Sequence, residues 1–296
     1  MALLIIALTV AGCGGGGGKG GKKGSIDVYV AGYEYNGSGC VAKYWKNSHG
    51  VPLSGETDYT CATSIYVSGN DVYVAGCEGI VTGRDINNVA KYWKKGQEEP
   101  LTNGEQTAEA HSIYVVGNDV YVAGCEGIVF KKVAKYWKNG QEEPLTNGEQ
   151  TAEARSIYVV GNDVYVAGYE KIGGKKVAKY WKNGQEVLLN DGTQANSIYV
   201  VGNDVYVAGY EKIGGIGGKS KKVAKYWRNG QAIELNEGDY DADANSIYVV
   251  GNDVYVAGYE NNGTKNVAKY WKNGQAEALS DGTNDAFATG IFVVNR

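Results

Sequence analysis

The chain has 296 residues, a net charge of −4 and 21% charged residues, with 43% hydrophobic residues to build a core. That balance excludes global disorder, and its mildly acidic sign argues against a nucleic-acid partner, which needs a basic face. The composition is narrow, with 45 Gly, 24 Tyr and 6 Trp against 3 Pro, 3 Phe and 2 His. Such a vocabulary points to a duplicated unit. Two His and five Cys give no expectation of a multi-ligand metal site, and no cofactor is expected.

Residues 2–12 form an apolar run, too short for a bilayer span and suited to the core of a secretory signal. The run ends in Val10-Ala11-Gly12-Cys13, and Gly14–Ser25 is a Gly-rich stretch of the kind that forms a flexible tether. The segment resembles a bacterial lipobox, although no Lys or Arg precedes the apolar run. The resemblance implies a signal peptide over 1–12, a lipid (palmitate-type) anchor on Cys13 and a tether over 13–25. It also implies a cell-envelope address facing an oxidising space. Gly14, in place of the Asp that marks inner-membrane retention in such lipoproteins, points to the outer membrane.

From residue 26 onward one unit recurs six times. Asp-Val-Tyr-Val-Ala-Gly starts at Asp27, Asp71, Asp119, Asp163, Asp204 and Asp253. Val-Ala-Lys-Tyr-Trp starts at Val41, Val89, Val133, Val177, Val223 and Val267 and accounts for every Trp. Each unit reads as four short strands. In residues 156–188, Ser156–Val160 is β-branched and aromatic, Gly161-Asn162 suits a II′ hairpin, and Asn183-Gly184 suits a I′ hairpin. No stretch carries the 3.6-residue apolar period of a helix.

Repeated four-strand meanders of this length predict an all-β fold, a six-bladed β-propeller over 26–296. The pattern Ser-Ile-Tyr-Val-x-Gly-Asn-Asp-Val-Tyr-Val-Ala-Gly resembles NHL-type propeller repeats. That likeness implies the fold; propellers of that type serve protein, RNA and sugar binding, and some are enzymes. The first unit lacks a full first strand, and the last is followed by an extra one at 290–294. The expectation is that the C-terminal strand completes blade one and closes the ring.

Candidate sites come from what varies while its surroundings repeat. The connections between the second and third strands contain 6, 10, 6, 6, 11 and 6 residues, so one face of the disc carries the variation. The position before the inner strand, in Ala-x-Ser, reads Thr63, His111, Arg155, Asn196 and Asn245, with Thr289 at the closing strand. Two residues upstream stand Cys61, Glu109, Glu153, Gln194, Asp243 and Phe287. These positions predict a ligand pocket at the mouth of the channel. Its lining is Thr63, Glu109, His111, Glu153, Arg155, Asn196, Asn245 and Thr289, with the two glutamates orienting His111 and Arg155.

The bland readings compete. A channel edge is polar because it is solvated. The Tyr-Trp pairs suit inter-blade packing better than sugar-stacking platforms, and six Glu/Lys sets suit structural ion pairs worth little if exposed. Asp239-Tyr-Asp241-Ala-Asp243 starts like a calcium loop but lacks its Gly and distal Glu. Cys77 and Cys125 hold a position that is Tyr in the other units and read as small hydrophobes. Cys40 and Cys61 lie in loops and are open to pairing with each other or with Cys77. No nucleophile motif is present, and near-identical units leave little that is unique for catalysis. The expected function is a monomeric binding or interaction module for a protein or glycan. The alternatives are an assembly lipoprotein, a lectin-like propeller with per-blade sites, and last an enzyme.

Overall fold

The computed structural model describes residues 27–35, 39–55, 59–82, 85–128, 130–214, 220–236 and 240–293. The segments expected to form the signal peptide and the tether, with Cys13, lie outside the described residues. Blade one comprises β1 (Tyr29–Tyr35), β2 (Cys40–Lys46) and β3 (His49–Pro52). Blade two comprises β4 (Tyr59–Ser68), β5 (Asp71–Thr82), β6 (Asp85–Lys94) and β7 (Gln97–Pro100). Blade three follows with β8 (Thr107–Val116), β9 (Asp119–Ile128), β10 (Lys131–Lys138) and β11 (Gln141–Pro144). Blade four has β12 (Ala152–Val160), β13 (Asp163–Ile172), β14 (Lys175–Lys182) and β15 (Gln185–Leu188). Blade five has β16 (Gln194–Val201), β17 (Asp204–Gly214), β18 (Ser220–Arg228) and β19 (Gln231–Glu234). Blade six has β20 (Ala242–Val250), β21 (Asp253–Asn261), β22 (Asn266–Lys272) and β23 (Gln275–Ala278). Each blade is an antiparallel meander, and the whole is the expected six-bladed β-propeller.

The turns form as their residues require. Asn139, Asn183, Asn229 and Asn273 adopt positive φ near 51°, each followed by a Gly with positive φ, as a I′ hairpin needs. In those four blades and at Asn47 the Asn amide also clamps the hairpin. It donates to the Asp that opens the second strand, and its oxygen accepts the next residue's N–H, as in Asn183 Nδ2 to Asp163 Oδ1 (2.8 Å) and Val164 N to Asn183 Oδ1 (2.8 Å).

The core lies between blades, not within them. Five apolar clusters each join two neighbouring blades; one packs Tyr165, Ala167 and Ala178 of blade four against Ile198, Val207 and Trp227 of blade five. Trp93, Trp137, Trp181, Trp227 and Trp271 are at most 1% exposed. They therefore pack and offer no sugar platform. The outer strands are mostly exposed, as at Gln97–Pro100.

The Glu/Lys sets are the structural ion pairs expected, and in four of them the lysine, Lys91, Lys135, Lys179 or Lys225, is buried rather than exposed. Lys179 is 1% exposed and contacts both Glu170 (2.7 Å) and Glu186 (2.5 Å). Burial opposes its charge, yet the two glutamate hydrogen bonds outweigh that and hold its pKa above the usual lysine value. Lys91, Lys135 and Lys225 repeat this with a second Glu from the outer strand.

Blade one differs from expectation. Its sheet has three strands, β1–β2–β3, and among the described residues no ladder joins β1 to the C-terminal segment. Residues 288–293 instead follow blade six in the lane an inner strand occupies. Ile291 N donates to Ser246 Oγ (3.2 Å), as Ile113, Ile157, Ile198 and Ile247 do to the preceding blade's Ser. Phe292 continues a chain of ring contacts through Tyr66, Tyr114, Tyr158, Tyr199 and Tyr248, with centroids 4.7–4.9 Å apart. Gly290 replaces the Ser found in the other units, so the segment has no hydroxyl to pass on to the next lane.

Candidate functional site

Each full inner strand contains a β-bulge at the same place. The register shifts between Ala62 and Ser64, Ala110 and Ser112, Ala154 and Ser156, Ala195 and Ser197, and Ala244 and Ser246. The bulged residues are Thr63, His111, Arg155, Asn196 and Asn245, the variable set read from the sequence. A bulge re-aims a side chain away from the ladder. Here it aims five of them, with Thr289, at one cavity of about 380 Å³ that Tyr259 and Phe287 also line.

The bulge has a partner in the second strand. A Cβ on Gly168 would sit 1.9 Å from Glu153 O, and Gly76, Gly124, Gly209 and Gly258 meet the equivalent carbonyl at 1.9–2.0 Å. The Gly of Val-Tyr-Val-Ala-Gly is thus the space into which the distorted inner strand fits.

The lining divides into two halves. Thr63 Oγ1 donates to Ala110 O (2.6 Å), Asn196 Nδ2 to Ala244 O (3.0 Å) and Asn245 Nδ2 to Ala288 O (2.9 Å). These three clamp neighbouring blades. Asn196 Nδ2 also donates to Asp243 Oδ1 (2.9 Å), which uses both of its amide hydrogens. The role expected of Asn196 and Asn245 as ligand donors therefore competes with a structural one.

The other half is charged. Glu109 Oε2 lies 3.5 Å from His111 Nε2, and Arg155 Nη1 donates to Glu153 Oε2 at 3.2 Å, the orienting pairs expected. Lys132 joins them, 3.1 Å from Glu109 and 3.6 Å from Glu153. Burial and the nearby Arg155 charge lower the His111 pKa to about 4, so its imidazole is neutral at neutral pH. Glu153 is held below the usual carboxylate value; burial opposes this, but His111, Lys132 and Arg155 outweigh it. Thr63, His111, Arg155, Asn196, Asn245 and Thr289 line the cavity itself; Glu109 and Glu153, expected in the lining, are not part of it and touch His111 and Arg155 instead.

Two features escaped the sequence. Cys125 lies opposite Glu109 in the ladder, with Sγ 3.9 Å from His111 Nε2. Glu109, His111 and Cys125 place one ligand atom each within 4.8 Å of one another, a grouping the sequence did not single out. Burial raises the Cys125 thiol pKa to about 12. In blade two, Cys61 faces Cys77 across the ladder, and their contact lowers Cys61 and raises Cys77. All four described cysteines are free thiols. The aspartates of the calcium-like segment are engaged: Asp243 pairs with Lys222 (2.9 Å), and Asp241 accepts Lys222 N (2.8 Å). Asp239 lies outside the described residues.

Two larger grooves lie elsewhere. One, of about 690 Å³, runs beside the ion-paired Glu126, Lys135 and Glu142; the other, of about 610 Å³, is lined by Lys175, Lys176 and Tyr210. The first is walled by side chains that recur in other blades, so it lacks the individuality of the central mouth.

No family profile and no curated protein sequence matches the chain. Solved structures resemble it in fold. TolB from Acinetobacter baumannii superposes with a TM-score of 0.52 at 11% identity, covering 89% of this chain and 67% of that one. An acylaminoacyl peptidase from Pyrococcus horikoshii gives a TM-score of 0.50 at 12% identity, covering 86% of this chain and 43% of that one. The chain thus spans less than half the length of that peptidase. At such identity the likeness shows the propeller fold alone.

Proposed function

We propose that the protein is a binding module, not an enzyme. It takes one polar ligand, a glycan or an acidic protein segment, at the central mouth. The observation that carries this reading is the bulge set. Five bulged strands and the segment at Thr289 direct polar side chains of several kinds into one cavity while the surrounding framework repeats. Arg155 is the principal contact. Its side chain is 35% exposed and spends one N–H on Glu153, leaving other guanidinium donors for carboxylate, phosphate or hydroxyl groups. The buried Trp residues argue against six per-blade sites. The Val10–Cys13 segment supports a lipid anchor that places a monomeric propeller on the outer membrane, with the membrane touched only through that anchor.

A single experiment examines both parts. Envelope glycans and acidic peptides are titrated calorimetrically against the propeller, and fatty-acid labelling is followed in cells. One ligand per chain is expected, weakened by roughly 1.5–3 kcal/mol in Arg155→Ala with an unchanged melting temperature. Lys182→Ala, at the opposite hairpin, should bind as wild type. Label should vanish in Cys13→Ala. Six ligands per chain, normal binding by Arg155→Ala, or label retained on Cys13→Ala would overturn the corresponding part.

A further inference from the structure

The mouth contains a second chemistry that no ligand contact explains. On one side of it, His111 is the bulged residue of β8, Glu109 stands two residues before it, and Cys125 faces Glu109 from β9. Strand pairing brings the thiol and the carboxylate side by side, and the bulge turns the imidazole back over them. His111 Nε2 lies 3.5 Å from Glu109 Oε2 and 3.9 Å from Cys125 Sγ. A tetrahedral zinc ion with bonds of about 2.3 Å to sulfur and about 2.0–2.1 Å to nitrogen and oxygen sets its ligand atoms roughly 3.4–3.6 Å apart. Those two separations are within a few tenths of an ångström of the edges, and the Glu109 carboxylate and the Cys125 thiol lie within 4.8 Å of each other.

We propose that Glu109, His111 and Cys125 form a three-ligand site for a zinc-like divalent ion at the channel mouth, with the fourth position open to the cavity. The mixed sulfur, nitrogen and oxygen donor set selects borderline metals such as Zn²⁺ or Co²⁺ over Mg²⁺ and Ca²⁺, which take oxygen alone. Binding breaks the Cys125 S–H bond, forms the metal–thiolate bond and releases that proton to solvent. Two anionic ligands then neutralise the ion. Lys132, Glu153 and Arg155 around it sum to one positive charge, so the open position favours an anion or a polarised ligand oxygen. Lys132 holds the other Glu109 oxygen at 3.1 Å and fixes the carboxylate's orientation. The site adds a metal to the mouth described under the proposed function; it shares His111 with that lining but does not use Arg155, the principal contact proposed there. It occurs in blade three alone: the position of Cys125 is Tyr169, Tyr210 and Tyr259 in blades four to six, and only this bulge carries His.

The test is titration of the metal-stripped full chain with Co²⁺, with no organic ligand present, so its failure and that of the ligand reading are separable. One Co²⁺ per chain should bind with a thiolate-to-cobalt charge-transfer band that Zn²⁺ abolishes by displacement. Cys125→Tyr restores the residue found in other blades and so preserves packing. That variant and His111→Ala should each lose roughly tenfold or more in affinity, and Cys125→Tyr should lose the band. A Cys61→Ala/Cys77→Ala double variant should keep it. Circular dichroism and melting temperature check that each variant is folded. An absent band in the wild-type chain, a band that survives Cys125→Tyr, or one lost only with Cys61 and Cys77 would overturn the site.

Discussion

The glycine that ends Val-Tyr-Val-Ala-Gly and the variable residue of Ala-x-Ser are two halves of one device. The inner strand can bulge only because the second strand offers no Cβ opposite it. In blade four that gap separates Gly168 from Glu153 O by less than a side chain's width. Gly168→Ala should therefore destabilise the fold by roughly 1–3 kcal/mol or more, since the clash is with backbone. Urea denaturation reads this directly. Gly32, which no inner strand pairs with among the described residues, is the comparison, and Gly32→Ala should cost less. Equal losses at both positions would separate the glycine from the bulge. The polar variation at Ala-x-Ser was legible in the sequence. The bulge was not, because it depends on which residue of the partner strand each position faces.

A blade of this protein is stable only against its neighbour. Strands such as β13 are buried on both faces, with the pattern iBBBBBBiie, and each Trp closes the gap to the preceding blade. Trp181→Ala should cost about 3–5 kcal/mol, the usual loss for a buried Trp. Trp45→Ala should cost clearly less, because Trp45 is only half-buried. Val30 shows the same effect: it is half-buried, whereas Val74, Val122, Val166, Val207 and Val256 are 1% exposed. Blade one is the blade that, among the described residues, has no inner strand of its own in its sheet and no apolar cluster joining it to the blade before it. Paired denaturation curves check the contrast, and equal costs at Trp45 and Trp181 would show that the seam packs like the other interfaces.

Around the disc, the hairpin clamps add up to an acid response. Asp27, Asp119, Asp163 and Asp204 are held below the ordinary carboxylate value of 3.8, first by an Asn amide and then by Lys or Arg; at Asp253 Lys272 leads and Asn273 follows. A depressed acid contributes its stability above the unfolded value. That contribution is lost as the pH falls through the folded value, because the unfolded chain takes up its proton first. The melting temperature should therefore fall on acidification below about pH 4. An Asn139→Gly/Asn183→Gly variant keeps the positive φ but lacks two amide donors, so its fall should be shallower. A melting profile with the wild-type slope would show that the clamps do not couple to folding.

The sequence by itself determined the repeat, the strand count per blade, the turn types and the position of the variable polar set. Each of these is local, set by periodicity, by Gly and Asn in turns, and by a unit copied often enough to expose its exceptions. Only the tertiary structure decided the rest. Lys179 and its copies are buried because a second Glu arrives from the outer strand. Asn196 and Asn245 each donate an amide hydrogen to the backbone of the following segment, Ala244 O and Ala288 O. Cys125 joins His111 although 14 residues separate them. Among the described residues blade one has three paired strands although a fourth was written at the other end of the chain. All four depend on which strands become neighbours and in what register, and register is settled by packing across the whole disc rather than by any segment read alone.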